Sequence, residues 1–200
     1  MNLRTAFIAT AALIALLCVQ SSSAAPGSGQ QRRIDVQRST ITVHVFKSGL
    51  LRALADNHVV QAALADGWVE DSGAARVDVI VDAQRLRVLD PDASPKDREQ
   101  VQARMLGPEV LDAARFPQIR FHSTGVQPIG TDRWLIRGSV ELHGHTHDVA
   151  MQVVRENDRY RGQTTLRQTD FGINPVSVAG GAVRVKDELT IDFDIVTIDR

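Results

Sequence analysis

The chain has 200 residues, of which 43% are hydrophobic and 24% are charged, and its formal net charge is -1. This composition describes one ordinary globular domain and excludes a chain that is disordered throughout. Because Lys and Arg are not in excess, the chain lacks the general attraction for nucleic acid that a basic protein has. We therefore expect no nucleic-acid partner, and any ligand should be recognised at a local site.

The N-terminus has the organisation of a secretory signal peptide. A positive charge at Arg4 precedes an apolar run over residues 6–19, and the small residues SSSAA follow it. We predict a cleaved signal peptide over 1–25, a flexible leader over 26–32 and one domain over 33–200. The alternative is a retained membrane anchor, which the shortness of the apolar run disfavours. The protein is therefore expected to be periplasmic or secreted.

Cys18 is the only cysteine and lies inside the predicted signal peptide. Lipoprotein processing needs a small residue immediately before the cysteine, whereas Leu17 stands there. Cleavage beyond this point would leave a mature chain without cysteine, so the domain must be held by its core and its sheet hydrogen bonds.

Extended segments with alternating polarity predict a mostly β domain. The residues of one face are apolar at every second position, which is typical of half-buried strands, and turn residues separate the segments. We predict eight strands over residues 39–47, 58–69, 76–83, 118–126, 133–143, 147–156, 159–169 and 186–198.

A helix is predicted between the third and fourth of these strands. Ser94 is a suitable N-cap, Pro95 occupies the first helical position, and Asp97 and Glu99 place negative charge in the first turn. The pattern stops at Gly107. The segment is therefore an insertion in an otherwise β chain.

Eight antiparallel strands joined mostly to their sequence neighbours can close into a barrel without exposed edges. The fold class predicted is all-β, an eight-stranded antiparallel barrel with a helical insertion between strands 3 and 4. Such an interior is filled by side chains or holds one small ligand. Aromatic residues are only 4% of the chain, which favours a cavity, with a filled core as the alternative. The predicted inward residues are Val43, Val45, Val79, Val81, Ile119, Phe121, Ile136, Val140, Leu142, Met151, Val153, Ile191 and Phe193.

Three histidines at alternate positions form a candidate metal site. On a continuous strand, His143, His145 and His147 would point the same way, as a zinc site requires. Gly144 favours a different interpretation, a hairpin whose turn covers residues 144–146, so that only His143 and His147 could face each other. A metal-binding protein that uses this hairpin is the alternative functional hypothesis.

Motifs for catalysis are absent from the sequence. It has no GxSxG elbow, no Rossmann fingerprint and no P-loop, and the DFG at residues 170–172 has none of the companion motifs of a kinase. We therefore expect no enzymatic activity and no cofactor.

Several motifs in order resemble the YceI-like family of exported polyisoprenoid-binding proteins. IDVQRSTITVHVFKSG is similar to the opening strand of that family, RVDVIVDAQRLRV to its Val, Ile and Asp strand, and ARFPQIRFHS to its aromatic-proline entry into a further strand. TDFGI followed by GGAVRVKDELTIDFDI is similar to its ending. The resemblance covers nearly the whole predicted mature chain.

The resemblance implies a lipocalin-like extended barrel with a helix beside it and an apolar tunnel for an isoprenoid chain, such as a quinone tail or a polyprenyl lipid. The inward residues above are the positions that would line the tunnel, and Phe171 joins them through the DFGI motif. Gln168 stands where the family usually has a basic residue, so the resemblance carries over no head-group contact at this position. His145 and His147 replace a valine and a basic residue of the family hairpin, so the ligand could differ from that of other members.

We therefore predict an exported protein that binds an isoprenoid lipid in a barrel tunnel and carries it between membranes. The expected partners are that lipid and, transiently, the membranes that supply and accept it. The protein is expected to be a monomer or a homodimer.

Overall fold

The structure, a computed structural model, describes residues 31–48, 57–70, 75–178, 180 and 182–198. The predicted signal peptide, Cys18 and most of the predicted leader lie outside these residues. The described residues form ten strands, one α-helix and one 3₁₀ turn at Gln168–Phe171. The strands are β1 Gln31–Ile34, β2 Thr40–Ser48, β3 His58–Glu70, β4 Arg76–Val88, β5 Gln118–Gly130, β6 Arg133–Leu142, β7 His145–Glu156, β8 Arg159–Arg167, β9 Ser177–Val178 and β10 Val183–Ile198, and the helix is α1 Pro95–Leu106.

The sheet closes on itself as a barrel. Strands β2 to β8 pair in sequence order, and β10 joins β8 to β2. All of these pairings are antiparallel, so the described residues confirm the predicted closed eight-stranded antiparallel barrel. Closure gives each wall strand a hydrogen-bonded neighbour on both sides and protects the barrel from edge-to-edge association.

Two short strands, β1 and β9, are not revealed by the alternation and add to the barrel. Strand β9 pairs with β10. Strand β1 pairs with both β10 and β3, beyond the point where β2 begins, so β1 and β2 form one interrupted wall strand. At the interruption, the Ser39 hydroxyl accepts a hydrogen bond from the Val196 backbone N–H at 2.9 Å. This side chain therefore replaces a missing strand partner for a residue that is fully buried.

The predicted position of the helix needs a correction. We expected it between strands 3 and 4, but it lies between β4 and β5. The reason is β1, which begins at Gln31 inside the segment expected to be a leader. Four residues are too few for a period of two to stand out in the sequence.

The helix α1 lies at one end of the barrel. Ser94 caps it as predicted, because its side chain accepts a hydrogen bond from the Asp97 N–H. Gln102 fixes it to β4: its side chain accepts from the Val88 N–H at 2.8 Å and donates to the Leu86 carbonyl at 2.7 Å. None of the residues of α1 is buried, so the helix covers the barrel end rather than entering the core.

Two ends of the barrel can be distinguished. The end that carries α1, the start of β3 and the end of β4 is called the helix end below. The opposite end carries Trp134 and Tyr160 and is called the Trp134 end.

Among the helices of the described chain, none has both the length and the apolar character that crossing a membrane requires.

Candidate ligand-binding cavity

A cavity of about 1150 Å³ occupies the barrel interior. Apolar side chains from all strands of the closed barrel line it, because residues at every second position of each strand point inward. Drug-sized ligands occupy pockets of roughly 300–1,000 Å³. The barrel is therefore not filled by its own side chains and has room for a ligand above that size range.

The predicted inward face coincides with the cavity wall. All of the residues proposed from alternation line the cavity, namely Val43, Val45, Val79, Val81, Ile119, Phe121, Ile136, Val140, Leu142, Met151, Val153, Ile191 and Phe193. Phe171 is not among the lining residues: it is 1% exposed and packs with its ring against His147, at 6.1 Å between centroids. Its position is that of a core residue in the 3₁₀ turn. The contact of the lining residues with a ligand stays a prediction.

Two phenylalanine rings lie in the barrel without filling it. A Cβ atom built at Gly162 would come within 2.5 Å of the Phe193 ring, and one at Gly138 within 2.5 Å of the Phe121 ring. Each ring therefore rests on a glycine of the neighbouring strand. This arrangement keeps both aromatic side chains flat against the wall and leaves the centre of the barrel open.

Polar groups facing the cavity are concentrated at the helix end. They include His58, Asp90 and Gln168 from the barrel and its connections, and Gln100 and Arg104 from α1. A long apolar cavity with polar groups at one end suits an amphiphile, because each part of the ligand finds an environment of matching polarity.

His58 and Asp90 are not among the residues predicted from the sequence to line the cavity. His58 has the same parity on β3 as Val60 and Ala62, which are buried and line the cavity. Extending the alternation back by one step would have identified a histidine on an otherwise apolar face. Asp90 follows β4, and the sequence alone gave no reason to place it inside.

The Trp134 end is closely packed. The rings of Trp134 and Tyr160 lie 6.1 Å apart between centroids, and the guanidinium groups of Arg155 and Arg32 stack on them at 5.6 Å and 5.5 Å respectively. Tyr160 is only 6% exposed. Arg32 also donates a hydrogen bond to the Tyr160 hydroxyl.

Charged groups around both ends are stabilised by specific partners. Burial of the Asp194 carboxylate opposes its ionisation, but hydrogen bonds from Arg159 and Arg161 outweigh this and hold its pKa below the usual range. At the helix end, the pKa of Asp187 is also lowered, since hydrogen bonds from Thr169 and Arg167 outweigh the effect of burial. These pairs lie outside the cavity and contribute to the wall.

The histidine hairpin differs from its prediction. The turn consists of His143 and Gly144, whose φ angles are 52° and 75°, and not of residues 144–146. Two positive φ angles are typical of the type I′ turn that matches the twist of a hairpin. His145 then pairs with Leu142, and His147 pairs with Val140.

The expected opposition of His143 and His147 is therefore wrong. The rings that approach each other are those of His143 and His145, at 6.2 Å between centroids, and His143 Nδ1 lies 3.1 Å from the Phe171 carbonyl. Within the described part of the chain, no group of three or more His, Cys, Asp and Glu side chains is placed to hold a metal ion. The arrangement gives the metal hypothesis no geometric support.

Gln168 occupies the position where the sequence departs from the family pattern. It is 6% exposed, lines the cavity and donates through Nε2 to the Lys186 carbonyl at 2.8 Å. Its amide therefore joins the 3₁₀ turn to β10, and this hydrogen bond stabilises the barrel wall.

The barrel is similar to solved structures. The crystal structure of BcnA from Burkholderia cenocepacia matches with a TM-score of 0.65 at 15% sequence identity, over 82% of this chain and 99% of that chain. The YCEI protein of Campylobacter jejuni matches with a TM-score of 0.47 at 11% identity, over 62% of this chain and 73% of that chain. At such identities, the likeness to BcnA shows the fold alone.

A comparison with curated proteins finds no match. The family model described as a YceI-like domain matches residues 33–197, which is nearly the whole of the described barrel. This match agrees with the motifs that run from the opening strand to the ending. The chain belongs to the YceI-like domain family.

Proposed function

We propose that this protein is an exported carrier that binds an isoprenoid lipid, such as a quinone tail or a polyprenyl chain, inside the barrel. The observation that carries the proposal is the cavity of about 1150 Å³ lined by apolar side chains from the whole circumference of the barrel. Burying an apolar chain there releases water from both surfaces, which is favourable by about 25 cal/mol for each Å² removed.

The shape of the cavity supports an extended ligand. On β4 the lining residues run from Val77 to Val88, which at about 3.3 Å per residue corresponds to roughly 35 Å of strand. An eight-stranded barrel is only wide enough for one small ligand in cross-section. A single long hydrocarbon chain fits such a space better than a compact ring system of equal volume.

The chemistry of the wall supports binding rather than catalysis. Over most of its length the lining is aliphatic or aromatic, and such side chains supply neither a nucleophile nor a general base. The protein would therefore take up and release its lipid unchanged, in transient contact with membranes, as a monomer or a homodimer.

The test is to identify the lipid that accompanies the protein. The full-length chain is expressed in its own host, purified without detergent and studied by native mass spectrometry and organic extraction. We expect a stoichiometric isoprenoid lipid. A protein that carries no lipid and does not bind added long-chain polyprenol or quinone would overturn the proposal.

A matched pair of variants locates the binding. Val45→Arg places a charge on the cavity wall, whereas Thr42→Arg places the same side chain on the outer face of the same strand, where its register partners are Gln61 and Asp192. An unpaired charge in an apolar interior is strongly unfavourable. We expect loss of lipid with Val45→Arg and normal occupancy with Thr42→Arg. Equal occupancy in both variants would show that the lipid binds elsewhere.

Export has a separate test. The N-terminal residue of the purified protein is determined, and its location is compared with that of a chain from which residues 2–25 have been deleted. We expect cleavage after residue 24 or 25 in the full-length chain and retention of the deleted form in the cytoplasm. An intact N-terminus on a cytoplasmic protein would contradict the export proposal and leave lipid binding unaffected.

A further inference from the structure

A histidine and a carboxylate face each other on the inner wall at the helix end. The pairing of Val60 with Val88 and of Gln61 with Arg87, extended by two residues, brings His58 opposite Asp90. Both residues line the cavity, and Asp90 is 5% exposed. They therefore lie one inward-facing step beyond the Val60 and Val88 pair at which the β3 and β4 ladder ends.

The Asp90 carboxylate is held in place by several partners. Its Oδ2 lies 2.6 Å from His58 Nδ1, and its Oδ1 accepts a hydrogen bond from the Val59 N–H at 2.8 Å. Its backbone carbonyl accepts two hydrogen bonds from the Arg98 guanidinium, at 3.3 and 3.0 Å. Because the Val59 N–H holds the carboxylate and Arg98 holds the Asp90 backbone, Asp90 fixes the orientation of the His58 ring.

This contact determines the tautomer of His58. An ionised carboxylate only accepts hydrogen bonds, so the proton of a neutral imidazole must lie on Nδ1. The other ring nitrogen, Nε2, then carries a lone pair. Within the described residues, Nε2 has no hydrogen-bond partner. It is therefore a prepared acceptor among the polar groups at the helix end of the cavity.

A hydroxyl group is the head group that suits this acceptor. We propose that His58 Nε2 accepts a hydrogen bond from a hydroxyl-bearing lipid head, that of a polyprenol or of a reduced quinone, and that Asp90 orients His58 for this contact. A carbonyl head has no proton to donate, so it would cover the partly exposed His58 ring and leave Nε2 without either water or a ligand hydrogen bond. The inference rests on the proposed function, since it places the head of the same lipid at the helix end.

The test compares an alcohol and an aldehyde with the same chain. Binding of a long-chain polyprenol and of the matching polyprenal is measured on the full protein, with wild type, Asp90→Asn and His58→Phe. We expect wild type to prefer the polyprenol by roughly tenfold, the size of one net hydrogen bond. In Asp90→Asn, the amide donates to Nδ1 and moves the histidine proton to Nε2, so the preference should fall to parity or favour the aldehyde.

The remaining variants separate a head-group role from a structural one. His58→Phe keeps an aromatic ring but removes the acceptor nitrogen, so this variant should bind both lipids equally. His44→Phe removes a histidine that pairs with Asp192 on the outer face at 2.8 Å, and the wild-type preference should persist. The same preference for polyprenol in wild type, Asp90→Asn and His58→Phe would overturn this inference while leaving lipid binding intact. Failure of wild type to bind either lipid would overturn the proposed function itself, and this inference with it.

A final binding measurement identifies which class of lipid supplies the hydroxyl. Under anaerobic conditions, wild type is offered a long-chain quinone in its reduced and its oxidised form. A preference for the reduced form as large as that for polyprenol would identify a quinol as a suitable ligand. Preference for the polyprenol over the polyprenal without discrimination between quinol and quinone would assign the site to polyprenols.

Discussion

The two ends of the barrel are built differently. At the Trp134 end, aromatic rings stack on each other and under arginine side chains, and Tyr160 is almost fully buried. At the helix end, α1 covers the cavity without burying any of its own residues, and polar side chains face the interior. Under the proposed function, the first end would close and stabilise the barrel, and the second would receive the polar head of the ligand and form its route of entry.

The largest expected effect is on the closed end. Tyr160→Ala removes a buried ring from between Trp134 and Arg32 and should lower the free energy of unfolding by roughly 3–5 kcal/mol, as is usual for large aromatic deletions. Met105→Ala is the control at the helix end, where the side chain is only partly buried, and should cost much less. Urea unfolding followed by circular dichroism measures both. Equal losses would show that the ends contribute equally to stability.

The second-largest effect is expected at the open centre of the barrel. Gly162→Ala places a Cβ atom 2.4 Å from the Gln152 carbonyl oxygen and 2.5 Å from the Phe193 ring. The ring must move into the cavity, so the capacity for long chains should decrease, and overpacking should cost roughly 1–3 kcal/mol of stability. Lipids of increasing length are bound to wild type and variant. Gly125→Ala, where a Cβ would meet nothing within 4 Å, is the control, and an unchanged length limit in Gly162→Ala would contradict the role of the glycine.

The attachment of α1 to β4 provides a test of whether the helix end is the route of entry. Gln102→Leu removes the side-chain partners of the Val88 N–H and the Leu86 carbonyl, which should destabilise the protein by about 1–2 kcal/mol. If the helix end is the entrance, lipid release should become several-fold faster. Glu99→Ala on the exposed side of the same helix is the control, and stopped-flow release of a fluorescent fatty chain is the measurement. A release rate equal to that of Glu99→Ala would place the entrance elsewhere.

The smallest expected effect is a pH dependence outside the cavity. The pKa of Asp194 is lowered in the folded protein, so its carboxylate stabilises the fold at neutral pH, and this contribution is lost as the pH falls through the acidic range. Asp194→Asn should therefore cost about 1 kcal/mol at pH 7 and progressively less towards pH 3. Unfolding midpoints across this range are compared with those of Asp148→Asn, whose side chain is exposed. A difference from wild type that does not change with pH would contradict the assignment.

The barrel could be predicted because each of its strands is visible in the sequence as an alternation of polar and apolar residues close together in the chain. In each wall strand, one face is buried against the cavity and the other meets solvent, so polarity alternates with a period of two. The inward positions of β2 and β6 are evident in the sequence for this reason. Strand β4 continues to Val88. The prediction ended it at Ala83 because register shifts in its pairing with β3 interrupt the alternation.

Turn chemistry explains the error at the histidine hairpin. The residues His143 and Gly144 form the turn with two positive φ angles, a conformation that Asn-Gly and Asp-Gly adopt most readily. A histidine at the first of these positions gives a weak sequence signal. The prediction therefore placed the turn later along the chain, and that shift brought the wrong pair of histidines together.

By itself, the sequence determined the family, the alternating strands and the apolar character of the inner face, since each follows from residues close together in the chain. Only the tertiary structure decided that the cavity stays open and that His58 meets Asp90. The phenylalanine rings rest on glycines of neighbouring strands, and the two members of the polar pair are 32 residues apart. Such contacts depend on strand register and on barrel closure, which pair residues that no local pattern connects.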